Sequence, residues 1–336
     1  MNITERLQEQ ASALHARVVL PEGDDPRVIQ AAVTLAQQNI VQPILLGDLA
    51  EIQQVADDNN IVLPDTVQLL DPKNSPQQDR FVAEYFDLRK AKGISQTEAK
   101  EAIISPLNYA AMMVRLGAAD GCVAGAAHAT SQVLRAALQI IGMAEGVQIA
   151  SSVFLMVLPD ERDQRSRAIT YGDCGMVPDP DAAQLAQIAV ASAQTHTQLT
   201  GEKPAVAMLS FSTKGSAEHS SVTKVREATA LAQQTDPTLL VDGELQFDAA
   251  YVAAIGQKKA PDSTVAGQAN VFIFPNLDAG NIGYKITERL GGAQAIGPII
   301  QGLAKPMHDL SRGCKAEDIV TLAAICAVQS ANGLDN

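Results

Sequence analysis

The sequence predicts an α/β protein with mainly parallel strands. Short β-type apolar runs alternate along the chain with helical patterns, the order expected when helices pack on a parallel sheet. Hydrophobic residues make up 46% of the chain against 19% charged, so the sequence is globular and can bury real cores. Aromatics are only 4% and Trp is absent, so those cores must be aliphatic and alanine-rich, which suits helices on sheets. At roughly 150 residues per domain, the 336 residues predict two domains.

Taken in chain order, Arg17 to Leu20 reads as the first strand. Asp25 then caps a helix that has Pro26 at its first position, with Val28, Ile29 and Ala32 along one face. The chain is expected to pass into its second domain near residue 147. The polar stretch Asp160 to Arg167 reads as an exposed hairpin or loop. Asp181 opens a long helix with Gln184 as its capping-box partner, and Leu185, Ile188, Ala189, Ser192 and Ala193 follow helical spacing. The last helix, from about Lys315, is apolar on nearly every face and is expected to be buried.

Composition excludes several functions. A net charge of −13 repels nucleic acid, which needs clustered Lys and Arg. The same surface repels small anions at long range, so any anion site must be a local arginine cluster. Cys122, Cys174, Cys314 and Cys326 are scattered, with no C-x-x-C pair, which argues against a zinc site or a disulfide framework and for free thiols. The first residues hold no apolar run of signal-peptide type, and stretches such as Ile319 to Val328 fall short of the ~18 residues of a membrane span. A cytoplasmic protein with neither membrane nor nucleic-acid partners is expected.

Open α/β sheets bind ligands beyond the carboxyl ends of their strands, so strand-to-helix junctions carry most weight. Four stand out: residues 120–135, 205–226, 270–285 and 299–318. In the first, Gly125 precedes a helix bearing Thr130, Ser131 and Arg135. No dinucleotide fingerprint or P-loop is present, so the turn is either a phosphate cradle or an ordinary tight turn. Arg135, on a largely apolar helix, reads either as a structural salt bridge or as a bidentate phosphate ligand. In DLSRGCKAEDIV, Ser311 and Arg312 can hold an oxyanion beside Gly313 while Asp318 accepts a proton. Equally, Asp318 can simply cap the helix it begins. Cys314 with His308 offers a thiol nucleophile and base, or a coincidence of one loop. Asp242, Glu244 and Asp248 in VDGELQFD offer oxygen ligands for a divalent cation, or caps and ion pairs.

Read together, RVVLPEGDDPRVIQAA, AAMMVRLGAADGCVAGAAHATSQVLRAALQIIG, SSVFLM, VAMLSFST, VDGELQFDAA, KAPDSTVAGQANVFIFPNL, AGNIGYKITERLGGAQAIGPIIQGLAKP and DLSRGC resemble the phosphate acetyltransferases, within the phosphate acetyl/butyryl transferase family. These segments span almost the whole chain. The resemblance implies two α/β domains related to isocitrate and isopropylmalate dehydrogenases, with the active site in the cleft between them. One domain would hold residues 1–146 and 298–336 and the other residues 147–297, and a homodimer is implied. It implies reversible transfer of an acetyl group between coenzyme A and inorganic phosphate, with coenzyme A as a substrate and no cofactor or metal. By the same resemblance Ser311, Arg312 and Asp318 are catalytic. Arg135, Arg89 (in YFDLRKAKG), Thr130, Asn281 and Lys285 bind substrate.

Departures exist. HATSQVLRAAL stands where relatives read HTTADTVRPAL, so Ala129 replaces a hydroxyl residue and Ala136 a proline, leaving Thr130 or backbone N–H groups to contact phosphate. GDCGMVPDP stands in place of ADCAVNP, and KPMHDLSRGC with LSFSTKGSAEH leans towards the ethanolamine-utilisation branch. The competing readings are phosphate butyryltransferase, a metal- and NAD-dependent dehydrogenase on the related fold, and a catalytically idle coenzyme A-binding protein.

Overall fold

The computed structural model describes residues 2–159 and 168–332, so the hairpin expected at Asp160 to Arg167 lies outside the described residues. The chain forms two compact units, one of Met1–Glu145 with Leu303–Asn336 and one of Gly146–Gly302. The return crossing falls five residues later than the sequence expectation. The strand Gln294–Gln301 explains the shift: it stays hydrogen-bonded in the second unit's sheet to its last residue, Gln301 against Ser151.

The first unit runs through α1 (Ile3–Leu14), β1 (Arg17–Leu20), α2 (Pro26–Gln37), β2 (Gln42–Leu46), α3 (Leu49–Asp58), β3 (Gln68–Leu70), α4 (Gln78–Arg89), α5 (Gln96–Ile103), α6 (Pro106–Arg115), β4 (Gly121–Ala124) and α7 (Thr130–Ala136). The second unit holds β5 (Ser151–Val157), β6 (Ala168–Gly172), α8 (Ala182–Thr200), β7 (Ala205–Leu209), α9 (Ser220–Thr235), β8 (Leu240–Leu245), α10 (Phe247–Tyr251), α11 (Ala253–Lys259), β9 (Val271–Ile273), α12 (Leu277–Arg289) and β10 (Gln294–Gln301). The chain returns to the first unit for β11 (Met307–Asp309) and α13 (Ala316–Asn332).

The caps expected from the sequence are present. Asp25 accepts the Arg27 N–H at 2.9 Å ahead of Pro26, and Asp181 and Gln184 close a reciprocal capping box on α8. The first sheet has the order β11-β4-β1-β2-β3, parallel at every pairing. The second has the order β10-β5-β6-β9-β7-β8, with β10, β5 and β6 joined antiparallel and the rest parallel. In the first unit the strand order reverses between β1 and β4. Loops leaving the carboxyl ends of β1, β4 and β11 therefore lie side by side, where open α/β sheets bind ligands.

α13 is buried over Ile319 to Val328, as its all-round apolar pattern predicts, because it packs against α1, α2 and β4. That packing fixes the residue at Gly121. A Cβ there would collide with the Cys326 sulfur and stand 3.3 Å from the Pro306 carbonyl oxygen. Gly121→Ala should therefore lower the melting temperature by several degrees, an overpacking cost of about 1–3 kcal/mol. Cys326→Ala in the same chain should recover much of it. Thermal denaturation of the single and double variants checks this, and no recovery would place the strain elsewhere.

Candidate active site

The loop after β1 begins Pro21-Glu22-Gly23. Glu22 is 1% exposed, and a buried carboxylate is costly unless hydrogen-bonded. Its donors come from the turn after β4. Oε1 accepts the Ala127 and His128 N–H groups at 2.9 and 2.7 Å, Oε2 accepts that of Ala126 at 2.9 Å, and both oxygens lie 3.1 Å from the Gly125 nitrogen. The His128 ring adds a fifth contact, Nδ1 to Oε1 at 2.7 Å. Burial pushes this carboxyl up, but the His128 ring and the His128 and Ala127 amides outweigh it and hold the pKa below the usual value. The glycine turn is thus a nest of amides occupied by the protein's own acid. Of the Thr130 or backbone N–H groups expected to stand in for a phosphate contact, the N–H groups of Gly125 to His128 are already taken by Glu22. Gly125 is required, since its φ is +111° and a Cβ would lie 2.6 Å from the Leu310 nitrogen.

Arg27, five residues on, does the complementary work with carbonyl groups. Its guanidinium pairs with Asp25 at 2.6 Å and donates to the carbonyl oxygens of Ala126 (2.9 Å), Arg312 (2.7 Å) and Cys314 (3.0 Å). One side chain joins the first loop, the glycine turn and the Ser311–Cys314 loop.

In that third loop Ser311 and Arg312 are exposed, and Ser311 Oγ accepts the Gly313 N–H at 3.3 Å. Asp318 is exposed at the start of α13, where Oδ2 accepts the Lys315 N–H at 2.9 Å, so the capping reading holds in this geometry. Cys314 is buried. Burial, with Asp318, Asp25 and Glu22 nearby, pushes its thiol up to about 11 against the opposing Arg27 charge. His308 does not serve it: the ring is fully buried on β11 beside Gln329 of α13, and burial lowers its pKa to about 4. Of the two readings open for Cys314 and His308, a coincidence of one loop is the one realised: they are two separate buried residues.

Arg135 is exposed on α7 and forms no ion pair among the described residues, which removes the structural salt-bridge reading. It lines a cavity of about 220 Å³ in the first unit with Ser105, Asn108, His128, Gln132 and Gln139. Arg89, half-buried at the end of α4, lies one helical turn from Tyr85, which also borders the cavity. Thr130 opens α7, with its hydroxyl on the Asp309 carboxyl. Asn281 and Lys285 belong to the second unit. There Asn281 donates to the Cys174 carbonyl at 3.1 Å and accepts from Lys285 Nζ at 2.7 Å. The structure thus puts Ser311 and Arg312 on the loop that leads into α13, Asp318 in the first turn of α13, and Arg135 with Thr130 on α7, while Asn281 and Lys285 form their own pair.

The VDGELQFD acids are each bound by a basic side chain. Asp242 pairs with Lys214, Glu244 with Arg226 at 2.9 Å, and Asp248 with Lys259 at 2.9 Å. Of the two readings open in the sequence, ion pairing is the one realised.

Glu22, Arg27, His128 and Asp309 escaped the sequence reading. The available signal was an acid and an arginine placed directly after the first strand, at a junction not weighed with the other four. Asp309 ends β11 at 2% exposure, with Oδ1 lacking a hydrogen-bond partner among the described residues.

Fold and loops together define the class: a two-unit α/β protein whose first sheet gathers three loops at the carboxyl ends of its strands. The chain belongs to the Phosphate acetyl/butaryl transferase family, whose model matches residues 2–327. It is 46% identical over 330 residues to a phosphate acetyltransferase of Thermoanaerobacterium thermosaccharolyticum, covering 98% of this chain and 100% of that one. Among solved structures it is similar to a phosphotransacetylase from Streptococcus pyogenes, with TM-score 0.92 and 42% identity over 98% of both chains. It is likewise similar to the EutD phosphotransacetylase from Staphylococcus aureus, with TM-score 0.90 and 43% identity over 98% of both chains. The fold alone is shared, at 11% identity and TM-score 0.55, with a chain described as a 4-hydroxythreonine-4-phosphate dehydrogenase from Salmonella typhimurium, covering 94% of this chain and 99% of that one.

Burial pushes the Asp309 carboxyl up to about 6, with the negative charge of Glu22 adding to it and the Thr130 hydroxyl and Leu310 N–H opposing. An acid whose folded pKa is raised destabilises the fold once it ionises. The penalty is absent below the ordinary value of 3.8, grows towards 6 and is complete above. Asp309→Asn should therefore gain stability relative to the parent as pH rises from 4.5 to 6.5, then hold a constant advantage. The ceiling is about 3 kcal/mol, from about 1.4 kcal/mol per pKa unit. Melting temperatures of both proteins across pH 4.5 to 8 check this, and a pH-independent difference would contradict it.

Proposed function

We propose that the chain is a phosphate acetyltransferase, interconverting acetyl-CoA plus phosphate with acetyl phosphate plus CoA. The observation that carries this reading is the full-length relationship to a phosphate acetyltransferase at 46% identity. Phosphate butyryltransferase has the same chemistry and a longer acyl group, and comparative kinetics with the two acyl phosphates separate them. The dehydrogenase reading loses its metal ligands, because Asp242, Glu244 and Asp248 are held by Lys214, Arg226 and Lys259.

The mechanism proposed is direct transfer in a ternary complex, with coenzyme A as a substrate and no cofactor or metal. In the direction that consumes acetyl phosphate, Asp318 takes the CoA thiol proton and the thiolate attacks the acetyl carbonyl. A carbon–sulfur bond forms, the bond to the phosphate oxygen breaks, and the proton passes on to the departing phosphate. A free thiol ionises near 8.5, so a positioned base speeds the step at neutral pH. Ser311 hydrogen-bonds the developing oxyanion, Arg312 and Arg135 hold the phosphate, and Arg89, Thr130, Asn281 and Lys285 are further substrate contacts. Arg135 and Arg312, neither ion-paired among the described residues, support that assignment. Cys314 is disfavoured as an acyl carrier by a thiol pushed up to about 11.

Asp318→Asn and Arg312→Ala should each lower turnover roughly 10²- to 10⁴-fold, the scale of a lost general base or charge partner. Cys314→Ala should stay within a few-fold of the parent. Acetyl phosphate formation from acetyl-CoA and phosphate, with circular dichroism to confirm folding, is the measurement. A folded but dead Cys314→Ala with ping-pong kinetics would replace this mechanism by an acyl-enzyme.

A cytoplasmic location is also proposed; no helix among the described residues is long and apolar enough to cross a membrane. The chain is further proposed to form a homodimer. Ile282, Ile286 and Leu290, four residues apart along α12 and beyond its end, are 57%, 52% and 79% exposed and make an apolar stripe of the kind that subunit contacts cover. Ile286→Asp should shift the protein from dimer to monomer in light scattering at micromolar concentration. An unchanged dimer would place the interface elsewhere.

A further inference from the structure

The first unit's cavity of about 220 Å³ has one permanently charged wall residue, Arg135, which no acid neutralises among the described residues. The volume is several times the roughly 30 Å³ that a water molecule occupies in the liquid, so a tetrahedral phosphate group fits. The other polar residues lining it are Ser105, Asn108, Gln132, Gln139 and His128.

His128 is held unlike the others. Its backbone N–H and its ring Nδ1 both reach the same Glu22 oxygen, each at 2.7 Å. A ring tied to a buried carboxylate through its own main chain cannot swing away without leaving that carboxylate short of a donor. The carboxylate accepts, so Nδ1 carries the hydrogen and the tautomer is assigned by its partner. Nε2 has no protein partner among the described residues. The carboxylate is already served by four amides.

We propose that His128 is a substrate-contacting residue whose Nε2, together with the Arg135 guanidinium, meets a phosphate group of a substrate, and that Glu22 is the positioning residue that aims it. This rests on the phosphate acetyltransferase reading, in which every substrate carries a phosphate group. The neutral ring accepts the proton of a P–OH group, and the protonated ring donates to a P–O⁻. Arg135 supplies the fork and the charge. The phosphate belongs either to phosphate and acetyl phosphate or to the phosphate esters of coenzyme A, and the same chemistry recognises both.

Two measurements separate this from a merely structural histidine. His128→Gln, shown to be folded by circular dichroism, should raise KM roughly 10-fold or more for one phosphate-bearing substrate, as expected for a lost hydrogen bond to a charged group, while kcat stays within about 3-fold. A rise confined to acetyl phosphate assigns the acyl-phosphate group, and one confined to CoA assigns the ester. KM values for both within 2-fold of the parent would overturn the proposal. Independently of activity, ¹⁵N-histidine-labelled parent should show a ring protonated on Nδ1 that disappears in His128→Gln and whose Nε2 resonance moves on saturation with inorganic phosphate or with CoA. An Nε2 unmoved by both would also overturn it. Glu22→Gln should reproduce the KM change. If that variant does not fold, the His128 pair of measurements still decides. A parent that makes no acetyl phosphate would sink the proposed function, yet an Nε2 shift with inorganic phosphate would leave the His128 contact standing, so the two failures are distinguishable.

Discussion

The Glu22 carboxylate is the constraint around which the first unit's functional edge is arranged. An ionised group at 1% exposure persists only when its oxygens are filled by donors, and the turn after β4 supplies four amides and a ring. Five residues away Arg27 presents the opposite charge to carbonyl groups of the same turn and of the loop after β11. The segment from the loop after β1 into the first turn of α2 thus offers an anion to its neighbour's donors and a cation to the acceptors of two neighbours. The arrangement is possible because β11, β4 and β1 are consecutive in a parallel sheet, so their carboxyl-end loops must be adjacent.

Local physics was legible in the sequence, and long-range partnership was not. The caps at Asp25 and Asp181, the strand Arg17–Leu20 and the buried α13 follow from periodicity and capping chemistry within a few residues. Glu22 and Gly125 are 103 positions apart, and Arg27 and Arg312 are 285 apart. No local pattern announces such pairs. A glycine turn opening a helix looks the same whether its amides await a ligand or already hold a carboxylate. Sequence adjacency left two readings open at His308 and Cys314. His308 is fixed in β11 and faces Gln329, while Cys314 sits where Arg27 gathers the loop's carbonyls, so six residues of separation did not become a catalytic distance.

The VDGELQFD segment shows the same ambiguity resolved by folding. Three acids in seven residues suit a cation site or three ion pairs equally well on paper. β7 and β8 pair in parallel, and the loop after β7 folds back so that Lys214 meets Asp242 while Gly215 and Ser212 donate to Glu244 at 2.8 Å. Arg226, one helix later, adds its fork to the same carboxylate, which falls to about 2 although burial pushes the other way. The loop of the 205–226 junction that stood out in the sequence is therefore a cover for a buried acid.

These pairings set some of the arginines apart from others. Arg17, Arg27 and Arg226 are joined to Asp120, Asp25 and Glu244, and their remaining N–H groups hold loops in place. Arg135 and Arg312 carry equal charge without an acid partner among the described residues, although the chain has 38 acidic residues to 25 basic ones and pairing would be easy to satisfy. A guanidinium cannot shed its proton, so an unpaired one keeps its field outward and unspent. In a protein whose net charge of −13 repels anions at a distance, that local field is what an anionic substrate meets at close range, inside a Debye length of about 8 Å. Arg27, which joins the loops of the first unit's edge, is thus spent on a carboxylate and on carbonyl groups, while Arg135 and Arg312 are free to trade hydrating water for a phosphate.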